Sequence, residues 1–191
     1  MREIEVKAKA KDLEVLKKNL EARGCVFGEE ITQEGKIFLY KNIGYQDVKI
    51  GVPVLRIRKQ IKAGAVKNIF TLKVPLTNML DKREHETEIV DAEQMEKALE
   101  AMGYYMPLEI KKTRVKGKIN GDEVCLDQVD NLGTFVEMER LAQDNDPEQV
   151  QAELYKFLET VGVSRVDQVT KGYDILLYEA GFANPKPGAG T

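Results

Sequence analysis

Along most of this chain apolar side chains recur at every second position, and the recurrence falls into separate runs. These cover residues 2–10, 25–40, 53–61, 66–74, 82–90, 104–119, 122–129 and 133–141. Alternation of this kind predicts strands with one face on a core. The run 25–40 is long enough for two strands with a bend near Gly35. Asn120-Gly121 and Asn131-Leu132-Gly133 supply turn residues between the last three runs. Three segments switch to helical spacing. Asp12 caps a run carrying Leu13, Leu16 and Leu20, stopped by Gly24. Asp91 and Gln94 form a capping-box pattern ahead of Met95, Leu99 and Met102, stopped by Gly103. Asp146-Pro147 opens a run with Val150, Leu154, Phe157, Leu158 and Val161 before Gly162. A short apolar helix or turn is expected over 173–178. Strands interspersed with single helices predict one α+β domain over 1–178, its antiparallel sheet curling or closing on itself. A flexible Pro/Gly-rich tail is expected over 179–191.

The polar faces of these strands carry the candidate chemistry. Glu3, Glu5, Lys7 and Lys9 alternate with Ile4, Val6 and Ala8; Arg56 and Arg58 oppose Leu55 and Ile57; Thr71 and Lys73 oppose Phe70, Leu72 and Val74. Glu84, Glu86 and Glu88 make an all-acid face, and Lys112, Arg114, Lys116 and Lys118 an all-basic one. Glu137 and Glu139 add an acidic pair. One such ladder is an ordinary solvated face. Sorting by sign is different, because like charges two residues apart repel and a solvated surface gives them no reason to gather. In a closed sheet with a polar interior, the basic strands would face an anion and the acidic strands metal ions. Arg56, Arg58, Lys73, Lys112 and Arg114 together match the about four negative charges of a triphosphate. Glu3, Glu5, Glu86, Glu137 and Glu139 offer the hard oxygen donors that Mg²⁺ or Mn²⁺ prefers.

Composition narrows the classes. With 42% hydrophobic and 32% charged residues the chain reads as globular, and a net charge of -3 argues against a general nucleic-acid binder. No run approaches the ~20 apolar residues of a membrane span. Residues 1–11, with three lysines, an arginine and two glutamates, do not resemble a signal peptide, so a cytoplasmic location is expected. Cys25 and Cys125 sit among apolar sequence neighbours and read as buried thiols.

Glu3-Ile4-Glu5-Val6-Lys7 resembles the Glu-x-Glu-x-Lys signature of the CYTH superfamily, which includes class IV adenylate cyclases, thiamine triphosphatases and inorganic triphosphatases. The resemblance continues in order through Leu55-Arg56-Ile57-Arg58, Thr71-Leu72-Lys73, Arg83-Glu84-His85-Glu86, Lys112-Thr113-Arg114, Cys125-Leu126-Asp127, the segment from Leu132 to Glu139, and the segment from Gly172 to Leu177. The last two look most like the cyclase branch. The resemblance implies an eight-stranded antiparallel barrel, a triphosphate tunnel, with helices packed outside. It implies phosphate contacts from Arg56, Arg58, Lys73, Lys112 and Arg114, with Lys171 closing the tunnel. Metal would be held by Glu3, Glu5, Glu137 and Glu139, with Asp127 as a weaker transfer to a metal-shell or purine contact. Lys7 and Glu86 would complete the catalytic set. The implied reaction is metal-dependent conversion of ATP to cyclic AMP and pyrophosphate. The alternatives are hydrolysis of tripolyphosphate, thiamine triphosphate or a nucleotide, and a binding module that turns nothing over. A homodimer is common in that branch, though no segment marks an interface. Relatives often read Gln-x-Asp-x-Tyr-Phe where this chain has Gln33-Glu34-Gly35-Lys36-Ile37-Phe38, which leaves the organic part of the substrate open.

His85, the only histidine, alternates with Glu84 and Glu86 and should point away from the tunnel. Lys7 or a metal-bound hydroxide is then the expected proton acceptor. Met79, Met95, Met102, Met106 and Met138 read as core or loop filling. The connection 41–53, with Tyr45, Val48 and Ile50 between glycines, either covers one tunnel mouth or runs over the surface.

Overall fold

The computed structural model describes residues 1–142 and 145–184. Nine strands lie in one sheet: β1 (Arg2–Lys9), β2 (Val26–Tyr40), β3 (Val54–Lys62), β4 (Ala65–Pro75), β5 (Asp81–Ile89), β6 (Tyr104–Ile119), β7 (Asp122–Val129), β8 (Gly133–Ala142) and β9 (Gln168–Val169). Their order is β5-β4-β3-β2-β6-β7-β8-β1-β9, and a further pairing of β1 with β5 closes the first eight into an antiparallel barrel. The two-residue β9 lies on β1 opposite Lys7 and Ala8 and is too short to leave a periodic signal in the sequence. The closing seam is brief: Arg2, Glu3 and Ile4 pair with Arg83, Lys82 and Asp81. The bidentate Arg2–Asp81 contact, at 2.8 and 3.1 Å, fastens it.

The strand runs correspond to these elements within a residue or so. The exception is 25–40, a single strand with no break at Gly35. Its irregularities lie between Phe27 and Glu30 and between Ile37 and Leu39, where the register with β6 shifts. An extra residue there bends a strand without ending it. The helices are α1 (Leu13–Glu21), α2 (Ala92–Ala101), α3 (Pro147–Thr160) and α4 (Tyr173–Glu179). Asp12, Asp91 and Asp146 cap the first three, each accepting a backbone N–H from the first turn.

The helices decide which strand face stays dry. The inner edges of α1 and α3, including Leu16, Leu20, Leu154 and Leu158, pack on Ile4, Val6, Ala8, Val124, Val136 and Met138. Leu99 of α2 joins Phe38, Leu55 and Ile57 on the other side. These apolar positions are the outer face of the barrel, so the alternate positions, with the charges, must line the inside. The segment 41–53 holds a 3-10 turn over Tyr45–Asp47, and Tyr45 and Val48 pack with Ile37, Val54, Leu108 and Leu177 of α4. It therefore covers one mouth, the first of the two alternatives. Val129, Phe135 and Tyr173 pack together at the same end. Helix α4 runs one residue past the expected limit at 178, and the N–H of Asn184 donates to the Pro107 carbonyl. From 185 on, the expected tail lies outside the described residues.

Candidate active site

The register carries the ladders into one cavity. Glu5 lies opposite Glu139, and Lys7 opposite Glu137. Arg56 faces Thr71, which faces Glu86, while Lys73 faces Glu84. Arg114 lies opposite Asp127. The resulting cavity has a volume of about 170 Å³. Its walls include Glu3, Glu5, Lys7, Arg56, Arg58, Lys73, Lys112, Arg114, Glu86, Glu137 and Glu139. Eleven of the thirteen residues expected from sequence thus share one enclosure.

The other two are placed differently. The Lys171 side chain turns outward to Glu179 at 2.6 Å, and only its carbonyl enters, accepting from Lys7 Nζ at 3.2 Å. Position 171 precedes α4, so the helix, not a strand alternation, aims its side chain. Asp127 is fully buried behind the wall. Its oxygens accept from Arg114 Nε at 2.6 Å, Lys112 Nζ at 3.0 Å and the Tyr173 hydroxyl at 2.8 Å. Burial alone would raise this carboxyl, but Arg114 and Lys112 outweigh it and hold the pKa below the usual range. Asp127 is thus a counter-ion that fixes two cations of the cavity wall, Lys112 and Arg114, and its lone pairs are spent there.

Two electrostatic environments divide the rest. In the basic part, donors outnumber acceptors. Arg56 Nε and Arg58 Nε are buried with no hydrogen-bond partner. Burial and the neighbouring Arg56 push Arg58 down to about 9, and burial and Arg114 push Lys112 down to about 8. Lys73 is lowered by burial and Arg56, although Glu84 contacts it. A buried donor without an acceptor costs about 1–3 kcal/mol, so cations crowded this way store a preference for an incoming anion. Glu86, at the exposed rim, accepts from Arg58 Nη2 at 3.1 Å and from Thr71 Oγ1 at 3.1 Å, and lies 3.6 Å from Arg56 Nη2. It orients the two guanidinium forks.

In the acidic part, carboxylates divide into paired and unpaired. Glu137 contacts both Arg114 and Lys7, and these cations overcome burial to hold it well below the ordinary range. Glu5 accepts from Lys82 at 3.0 Å. Glu3 and Glu139 have no such partner among the described residues. Burial and the Glu3 charge push Glu139 up to about 8, and burial and Glu84 raise Glu3. Lys7 Nζ is surrounded by Glu137 at 3.0 Å, Glu5 at 3.7 Å and the Lys171 carbonyl. Glu137 and the carbonyl lie within hydrogen-bond reach of this nitrogen, and Glu5 lies beyond it.

Sequence reading missed Lys82, Glu84 and Tyr173 as members of the site. Lys82 continues the spacing of Glu84 and Glu86 two residues further back, so the same alternation contained it. Tyr173 has no such signal: its ring lies 4.2 Å from Lys7 Nζ and 4.8 Å from Lys112 Nζ only because α4 folds across the mouth. His85 is exposed on the outer face, as its parity requires. Cys25 and Cys125 are both buried thiols. Cys125, however, lies in the charged wall beside Lys116 and Glu137, because its apolar sequence neighbours point to the opposite face.

Comparison with known proteins agrees with this architecture. The CYTH domain matches residues 1–173. A protein of Methanocaldococcus jannaschii named "Putative adenylate cyclase" is 29% identical over 177 residues, covering 91% of this chain and 97% of the other. A solved structure from Pyrococcus horikoshii OT3 superimposes with a TM-score of 0.82 at 25% identity, covering 93% and 99%. A Hippeastrum protein, named for the cyclase class but described as having a dominant triphosphatase activity, gives 0.61 at 18% identity, covering 97% and 98%. Among the described residues no helix is long and apolar enough to cross a membrane.

Proposed function

This chain belongs to the CYTH domain family, and from that premise we propose that it is a metal-dependent enzyme acting on a triphosphate held in its barrel, with ATP cyclisation as the leading reaction. The observation that carries the proposal is the pair of buried, unpartnered Nε donors of Arg56 and Arg58, set among Lys73, Lys112 and Arg114. A bound phosphate chain supplies the acceptors these donors lack.

The donor set also fits Mg²⁺ or Mn²⁺ in a particular way. Among the described residues no group of three or more His, Cys, Asp or Glu side chains is gathered closely enough to hold an ion unaided. Glu3, raised by burial and Glu84, and Glu139, raised by burial and Glu3, are two carboxyls without an ion-pair partner among the described residues. Two carboxylates completed by substrate phosphate oxygens is the usual holding of Mg²⁺. When bound there, the ion neutralises charge that develops on the leaving phosphates. Glu5 and Glu137, already paired with lysine and arginine, would orient that set from behind.

In cyclisation the ribose 3′-oxygen releases its proton to water and attacks the α-phosphorus in line. The bond from that phosphorus to the bridging oxygen breaks and pyrophosphate departs. Arg56, Arg58, Lys73, Lys112 and Arg114 hold the chain and take up the charge on the leaving oxygens. The name of the Methanocaldococcus relative is what supports cyclisation as the leading reaction. Incubation with Mn²⁺ and either ATP or tripolyphosphate tests it. Cyclic AMP with pyrophosphate is expected, whereas orthophosphate release assigns a triphosphatase and binding without products assigns a module that does not catalyse. Arg56→Ala should lower turnover about 10²–10³-fold; unchanged turnover in that variant would remove the site assignment.

A further inference from the structure

Asp127 is offered more hydrogen bonds than it can take, and the crowding falls on one of its oxygens. Oδ1 accepts from Arg114 Nε. Oδ2 accepts from Arg114 Nη2, from Lys112 Nζ at 3.0 Å and from the Tyr173 hydroxyl at 2.8 Å. A carboxylate oxygen has two lone-pair sites, so these three donors share what suits two.

The three are not equally free to leave. Arg114 is anchored on both oxygens of Asp127 and on Glu137 as well. Tyr173 is held by packing: it is 6% exposed, and its ring meets Phe135 edge-on with centroids 5.0 Å apart. Lys112 makes the longest of the three contacts, and Asp127 is its one ion-pair partner among the described residues. Its Nζ also lies 4.8 Å from the centre of the Tyr173 ring, whose face attracts an ammonium without occupying a lone pair or fixing an N–H direction. Lys112 lines the cavity, so a short turn of a flexible stem is enough to bring its ammonium to a bound anion.

We infer that Tyr173 is a positioning residue for Lys112: by holding a lone pair of Asp127 Oδ2, its hydroxyl loosens the bond between Lys112 and that carboxylate and leaves the ammonium available to a phosphate oxygen. The inference rests on the triphosphate reading of the cavity. It adds how one cation of the wall avoids being consumed by its own buried counter-ion, since a close, fully satisfied ion pair would have to be broken by each incoming anion. Gly172 opens α4 directly before Tyr173, so the helix that covers the mouth also sets how freely Lys112 can respond.

Calorimetric affinity for tripolyphosphate in EDTA, measured as a double-mutant cycle, tests it. Tyr173→Phe keeps the ring and removes only the hydroxyl, and should weaken binding about three- to tenfold. In a Lys112→Met background the same change should have no effect, because the lysine it acts through is gone. In a Lys73→Met background the full loss should persist, because Lys73 pairs with Glu84 and not with Asp127. Should Lys112→Met fail to fold, Lys112→Arg replaces it: a guanidinium fork can bond Asp127 and phosphate together, so the loss should shrink to below about twofold. A hydroxyl that merely docks α4 would weaken binding equally in every background, and that result overturns the inference. Unchanged or tighter binding by Tyr173→Phe overturns it too. Absence of binding by the wild-type protein overturns the triphosphate reading itself, and the inference with it.

Discussion

The two faces of β1 are buried alike and serve opposite ends. On the outer face Ile4, Val6 and Ala8 are 0–1% exposed against α1 and α3; on the inner face Glu5 and Lys7 are 7% and 2% exposed inside the barrel. Outside, every apolar contact lowers the free energy of the folded chain, and nothing is left wanting. Inside, charges have been taken from water and only some are given partners, which costs stability. The barrel is held closed from without, so its interior is available for groups that would not hold a fold together by themselves.

On that division, the buried inner carboxylate that holds two cations should be the most damaging residue to lose. Asp127→Ala leaves Lys112 without its carboxylate partner and Arg114 with Glu137 alone, and is expected to cost about 3–5 kcal/mol by chemical denaturation and to abolish turnover as well. Leu158→Ala, on the outer side of the barrel, should cost about 2–5 kcal/mol while kcat/KM below the melting temperature stays near wild type. A large loss of turnover in that variant would break the comparison. Arg56→Ala is its counterpart, expected to lose turnover with little change in melting temperature.

The third effect is a pH dependence of the inner face. The Glu139 carboxyl titrates near 8 when folded, against about 4.3 for an unperturbed glutamate. Between those values the native state binds more protons than the unfolded one, so stability falls as pH rises from 5 to 8. One proton limits the slope to about 1.4 kcal/mol per pH unit. Melting in EDTA should show this slope, and Glu139→Gln should flatten it; a slope of opposite sign would mean that Glu139 is compensated in the native state. The smallest effect belongs to Tyr155, whose buried hydroxyl donates to the Lys7 carbonyl at 2.9 Å from the outer side. Tyr155→Phe should cost about 1 kcal/mol in stability and spare turnover, which would show how weakly the support behind Lys7 is felt within.

Much of this was legible in the sequence because a strand buried on both faces writes both faces in alternation. Arg56 and Arg58, or Glu137 and Glu139, could be placed together before any fold was known. Asp12, Asp91 and Asp146 announced helix starts by local hydrogen bonding alone. What the alternation cannot carry is the aim of residues outside strands. Lys171 was expected to reach inward and instead meets Glu179, and Tyr173 occupies the place beside Lys7, because both depend on where α4 comes to rest. Cys125 is the buried thiol expected, but its place in the charged wall was not legible, since Val124 and Leu126 point to the opposite face. The seam of β1 with β5 left no trace either, since three residue pairs across 79 positions are below anything a periodic pattern records.

That seam has a consequence for the order of events as the chain folds. Strands β2 to β5 can pair through short connections, whereas β1 must find β8, whose pairing runs from Lys9 with Phe135 to Arg2 with Ala142, and then meet β5. Pairings at such separation carry the highest loop-closure cost and set the pace of folding in strand-rich domains. Glu3, Glu5 and Lys7 ride on the stave that closes late, so completing the barrel and assembling the site are one kinetic event. A chain stalled before that closure would expose the unpaired edges of β5 and β8 together, which are the edges most open to pairing with another molecule.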